Sequence, residues 1–91
     1  MYSKITSDSL DKKLQKLAKK DKEQLEMIKK KVEELTKCDS ITIQHYKNLY
    51  APLNYLKRVH IIKSFVLTFS VDEKNKTITL EDYEHHDKIY K

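Results

Sequence analysis

The spacing of apolar residues divides this chain into two halves with different periods. Leu10, Leu14 and Leu17, then Leu25, Ile28, Val32 and Leu35, recur at steps of three and four, with Lys and Glu filling the other faces. That is the pattern of helix burying one stripe. The stripe is interrupted at Asp21, where Asp21-Lys-Glu-Gln24 has the form of a capping box with an acidic N-cap, so two helices split near residues 20–22 are expected. Because neither Gly nor Pro marks the break, one long helix over residues 9–37 is the alternative.

From Phe65 the period drops to two. Phe65, Leu67, Phe69 and Val71 alternate with Ser64, Val66, Thr68 and Ser70, which predicts a strand packing its first set on the helices. Residues 72–76 are polar, and Asn75 is expected to take the left-handed conformation in a chain that has no Gly. Residues 77–83 return as a second strand with Ile78 and Leu80 inward, completing a hairpin. Residues 55–62 and 2–6 read as further strands, and residues 38–54 as irregular, punctuated by Pro52. The expected fold is α+β, order β-α-α-β-β-β, with two N-terminal helices packed on one face of a small, mainly antiparallel sheet. Strict alternation then puts Val66, Thr68, Ser70, Thr79, Glu81 and Tyr83 on the other face, with nothing in the sequence left to cover it.

Length limits the chain, 91 residues, to one domain spanning residues 1–91 with a modest core. The balance of 19 Lys plus Arg against 14 Asp plus Glu gives +5, and Arg58 is the one arginine. Lysines attract phosphate without the forked geometry that reads bases. Residues 40–71 contain no acidic side chain, yet hold Lys47, Lys57, Arg58 and Lys63 with His45 and His60, a one-signed surface for a polyanion. The lone Cys38 closes no internal disulfide, which suits a reducing compartment. No apolar run approaches the roughly 20 residues of a membrane span, and the N-terminus lacks the apolar core of a signal peptide. A cytoplasmic protein without a membrane partner is expected.

Cations, imidazoles and a phenol are the groups of a metal-free ribonuclease, whose work is binding phosphate and moving protons near neutral pH. His85 and His86 lie between Glu84 and Asp87, carboxylates expected to raise the imidazoles above their usual value of about 6.5. Adjacent histidines lack the i, i+4 relation of helical metal ligands, so neither metal nor cofactor is expected. Each group also has a plainer reading. On it, Lys57, Arg58 and Lys63 are the charges that keep an edge strand soluble, His60 is a surface residue, Tyr90 an aromatic docked on the core, and the six tyrosines are packing.

The β-α-α-β-β-β order, the basic Tyr55-Leu-Lys-Arg-Val59, the strand Phe65-Val-Leu-Thr-Phe-Ser-Val71 with its turn and return, and the closing His86-Asp-Lys-Ile-Tyr90 resemble the RelE/ParE superfamily of toxins from toxin–antitoxin pairs. The resemblance covers nearly the whole chain. It implies a small basic toxin held in a hetero-oligomer by a cognate antitoxin whose helices wrap it. For RelE-like members it implies cleavage of mRNA on the ribosome without metal: the 2′-hydroxyl attacks the adjacent phosphate and a cyclic phosphate is left. By position, Lys57 and Arg58 match the RNA-binding cations, and Lys47, from the same basic stretch, is expected to bind RNA with them. His60, Lys63, His85, His86 and Tyr90 match the residues of charge stabilisation and proton transfer. The family commonly has Gly followed by Tyr-Arg at the start of the central strand, whereas this chain has Ser64-Phe65-Val66. Loss of one such preorganised charge costs on the order of 100-fold or more in rate. Two other readings stay open: a ParE-like inhibitor of gyrase, and a catalytically silent module that binds only its antitoxin.

Overall fold

Ser7 and Asp21 set the helical half of the molecule. Each accepts, through its side chain, the backbone N–H three residues on, at Leu10 and Gln24, satisfying donors that the first turn leaves open. The computed structural model, which describes residues 1–89, accordingly has α1 (Asp8–Lys20) and α2 (Lys22–Lys37) as separate helices, following β1 (Ser3–Thr6). The break at Asp21 is therefore real and the single long helix is not formed.

A short α3 (Ser40–Gln44), capped by Asp39, follows where irregular chain was expected. The sheet then continues with β2 (Lys57–Ile62), β3 (Phe65–Asp72) and β4 (Thr77–His85), and a four-residue α4 (His86–Ile89) closes the described chain. Strand order is β1-β4-β3-β2, antiparallel except for the parallel β1–β4 pair. The α+β architecture and the order of its main elements are those read from the sequence. Among the described residues no helix is long and apolar enough to cross a membrane.

The core lies between the helices and one face of the sheet, called here the inner face. Leu10, Ile28, Val32 and Leu35 meet Val59, Leu67, Phe69, Ile78 and Leu80. Phe69 is wholly buried, and truncating such a side chain to Ala typically costs about 3–5 kcal/mol.

Two expectations about the sheet are overturned. Tyr83 belongs to the core and not to the outer face. Thr68 pairs with Asp82 but Phe69 with Leu80, so Glu81 is an extra residue in β4, and a bulge of this kind shifts the alternation by one. Tyr83 thereby turns inward, stacks on Phe65 with centroids 5.4 Å apart, and donates its hydroxyl hydrogen bond to Gln24. Burial, with the nearby Asp21 charge, pushes its phenol up to about 12.

The outer face is also not bare. Val66 is fully buried and Thr68 only 3% exposed. Residues 48–56 fold as a closed loop beside Thr68, joined by Leu49 N–H to Leu56 O and an Asn48–Lys57 bridge, with Leu49 and Leu56 buried. In the β3–β4 turn the left-handed residue is Lys76 (φ 50°), not Asn75. Asn75 instead uses its backbone N–H and its amide on the Asp72 carboxylate, a side-chain closure that passes the strained position to its neighbour.

Candidate functional site

Register decides which side chains share the outer face. His60 and Glu84 both pair with Val66, and Arg58 and Asp82 both pair with Thr68. Directly paired residues point the same way, so two rows cross the sheet: His60–Val66–Glu84 and Arg58–Thr68–Asp82. Phe65, one step along, pairs with His85. His85 therefore faces inward, its ring edge-on to Phe65 at 5.6 Å.

One step further, where β4 gives way to α4, His86 N–H donates to Ser64 O at 2.6 Å. The three histidines are thus not one cluster. His60 stands on the outer face, its backbone roughly 12 Å from that of His86 across two strand spacings, while His85 lies on the inner side.

The α4 turn has its own small network. Asp87 N–H donates to His85 Nδ1 at 3.2 Å. The Asp87 carboxylate stands 3.7 Å from His85 Nδ1 and 3.8 Å from His86 Nδ1. Tyr90 lies outside the described residues. Lys63, in the tight β2–β3 turn, is exposed with φ 52°.

The cations separate into two kinds. Lys47 O accepts from Arg58 N–H at 2.9 Å, which sets exposed Lys47 beside half-buried Arg58 at the β2 edge. Lys57, expected among the RNA contacts, is 6% exposed. Its ammonium donates to Gln44 O, Tyr46 O and Asn48 Oδ1, the acceptors left where α3 ends. Desolvation lowers its pKa. Because Lys57 pairs with Phe69, it stands on the inner face, and its charge is used to hold the chain between α3 and β2 rather than offered to a ligand.

Pairing also brings acid to a surface that looked one-signed in sequence. Leu49, Leu56 and Thr68 wall a hollow of about 240 Å³ together with Glu81, Asp82 and Glu84. Lys13 of α1 reaches round the edge of β4, 2.7 Å from Asp82 and 3.1 Å from Glu84. Burial works against that ammonium, but the two carboxylate hydrogen bonds prevail and its pKa is raised. Two of the three carboxylates are therefore partly neutralised from within. The sequence carried a signal for Lys13, three residues after core Leu10, but none for the edge it reaches.

A second hollow, about 320 Å³ and mainly apolar, opens between α1, α2 and β1, with Leu14, Ala18 and Leu25 in its wall and Lys4 and Lys29 at its rim. Among the described residues no three His, Cys, Asp or Glu side chains are grouped as a metal site requires.

No protein-family model matches the sequence. A protein of Methanocaldococcus jannaschii named "Putative toxin RelE4" is 57% identical over 91 residues, covering 100% of this chain and 93% of that one. The YoeB-YefM complex from Staphylococcus aureus contains a chain of similar structure, TM-score 0.75 at 14% identity, covering 94% of this chain and 98% of that one. A metal-bound toxin from Helicobacter pylori superposes with TM-score 0.75 at 22% identity, over 98% of this chain and 99% of that one.

Proposed function

The chain belongs to the RelE family of toxins, and from that premise we propose that it is the toxin of a toxin–antitoxin pair and cleaves mRNA on the ribosome without a metal. The observation that carries the reading is the two exposed imidazoles, His60 and His86, with Arg58 and Lys47 at the β2 edge. In this scheme one imidazole takes the proton of the attacking 2′-hydroxyl and the other gives one to the departing 5′-oxygen, leaving a 2′,3′-cyclic phosphate. Arg58, Lys47 and the turn residue Lys63 bind phosphate and offset the charge of the phosphorane. His85, facing inward, supports the α4 turn. The antitoxin's acidic amphipathic helix fits the apolar hollow between α1, α2 and β1, where Lys4 and Lys29 provide complementary charge.

Expression of the chain alone arrests growth, and primer extension on translated messages finds cuts. A variant with both His60→Ala and His86→Ala gives neither. Growth arrest without cuts in the wild type would remove the nuclease reading.

Buried Val66, at the position where the family commonly has Arg, and the carboxylates of β4 favour a second reading, a toxin-fold module that binds its antitoxin but does not cut. Such a protein is harmless when expressed alone yet still captures the antitoxin.

A further inference from the structure

Glu81, Asp82 and Glu84 line the hollow beside β4, and each is met from within the fold. Glu81 accepts from Ser70 Oγ at 3.4 Å. Asp82 and Glu84 share the Lys13 ammonium, 2.7 Å from Asp82 Oδ1 and 3.1 Å from Glu84 Oε2. Lys13 does not belong to the sheet. It sits on α1 and reaches β4 because β1 pairs only with Thr77, Ile78, Thr79 and Leu80. Past Leu80 the edge of β4 is open, and side chains close it: Ser7 Oγ donates to Glu81 O, Asp82 Oδ1 takes the Tyr83 N–H, and Lys13 Nζ donates to Tyr83 O at 3.4 Å. Ser7 is also the N-cap of α1. The helix therefore starts at the bulge and carries Lys13, six residues or about 9 Å of helix further on, alongside residues 82–84. Across the sheet, Glu84 shares a row with His60 and Asp82 a row with Arg58, each pair roughly 10 Å apart over two strand spacings. That is about one Debye length at physiological salt, so a bare carboxylate in either row repels a phosphate at the β2 edge.

We propose that Lys13 is a positioning residue for RNA binding: from the helical layer it draws Asp82 and Glu84 back to the β4 edge and cancels their charge, so that the outer face admits a phosphate backbone. The proposal rests on the nuclease reading and deepens it by adding a residue that acts through two carboxylates without touching the RNA. The geometry gives the effect its direction. The Asp82 and Glu84 side chains are 42% and 30% exposed, so without the ammonium they are free to turn into the hollow, where each sets a negative charge on the face. Lys13 stands behind the edge. Once the carboxylates are gone, its removal therefore changes little.

The test uses the full chain and a fluorescein-labelled 2′-O-methyl oligoribonucleotide, which has no free 2′-hydroxyl and is not cut, with affinity read by anisotropy. At low salt, Lys13→Met at equal folded concentration weakens binding about 3- to 10-fold, and the gap closes as added salt shortens the Debye length. Lys13→Arg, which keeps the charge and can bond both carboxylates, stays within about 2-fold of wild type. With Asp82→Asn and Glu84→Gln in place, Lys13→Met changes affinity by less than about 2-fold. The amide pair at intact Lys13 reads the same coupling from the other side and binds more tightly than wild type. Wild-type affinity in Lys13→Met or in the amide pair overturns the proposal. So does a loss that salt leaves unchanged, which is damage to the fold, or a loss of equal size in both backgrounds, which makes Lys13 a direct RNA contact. A wild type that ignores the oligomer at low salt overturns it as well. Failure of the nuclease reading is separate: it appears as message left uncut by wild type while this pattern of binding holds.

Discussion

At the tip of the β3–β4 hairpin the Glu73 carboxylate accepts from Tyr2 Oη, Ser40 Oγ, Gln44 Nε2 and Lys76 Nζ, all within 3.2 Å. At the other end of the same two strands, roughly 24 Å away, His86 and Lys63 stand exposed, and Asp87 approaches its imidazoles only to 3.7 and 3.8 Å. On the proposed function, the contrast separates charge used for folding from charge offered to RNA. At the tip the Glu73 carboxylate has four near partners, and together they tie the N-terminus and α3 to the hairpin. At the open end the backbone ladder, through His86 N–H to Ser64 O, fixes where the strands end, and the His86 and Lys63 side chains are exposed. The same division runs through the cations, where Lys57 is spent on carbonyls and Lys47 is not.

The sharpest way to break this comparison is to move a substitution from one end to the other. His60→Ala and His86→Ala are each expected to lower message cleavage by about 10²–10⁴-fold while leaving urea-unfolding stability within about 0.5 kcal/mol, as for exposed positions. His85→Asn, which keeps an acceptor for Asp87 N–H, retains most of the activity. A larger loss at His85 than at His86 in a cleavage assay would reverse the assignment of faces.

Next in size is the pair of cations. Lys57→Met strands the Gln44 and Tyr46 carbonyls and is expected to cost about 1–3 kcal/mol of stability in urea unfolding, without altering the salt dependence of RNA binding. Lys47→Ala does the reverse, lowering the salt slope by about 1 at unchanged stability. Equal salt slopes in the two variants would contradict the separation.

The tip makes a pH prediction. Hydrogen bonds from Lys76 and then Tyr2 lower the Glu73 carboxyl from 4.5 to about 2. A depressed carboxylate stabilises the fold above its unfolded value and loses that contribution as pH falls toward the folded one. Stability therefore drops between about pH 4.5 and 2, and Glu73→Gln flattens that limb while cleavage is unaffected. An identical acid limb in the variant would exclude Glu73 as its source. Smallest is Lys63→Gly, which relieves the left-handed backbone at φ 52° and stabilises by at most about 1 kcal/mol in thermal unfolding.

How much of this was legible in sequence follows physical lines. Local signals survived: the cap at Asp21 split the helices, the two-residue period located β3, and the polar run marked the hairpin. What failed depended on pairing between distant residues. No pattern within β4 announces that Glu81 is bulged, and so Tyr83 was placed on the wrong face. The acid-free stretch of residues 40–71 was read along the chain, while the sheet sets Glu81, Asp82 and Glu84 beside it. The burial of Lys57 depends on carbonyls that α3 leaves open, and α3 was not foreseen. Tyr50 and Tyr55 were counted as packing because exposure is decided by how the loop closes. The candidate site was thus half legible, with its residue types apparent and their sidedness hidden.

The most direct test of the account is primer extension on messages translated in a reconstituted extract with three versions of the chain: wild type, the His60→Ala, His86→Ala double variant, and Glu73→Gln. Cuts from wild type and Glu73→Gln, and none from the double variant at equal folded concentration, are the predicted result. Cuts that persist in the double variant, or vanish in a folded Glu73→Gln protein, would contradict the division between the two ends of the sheet.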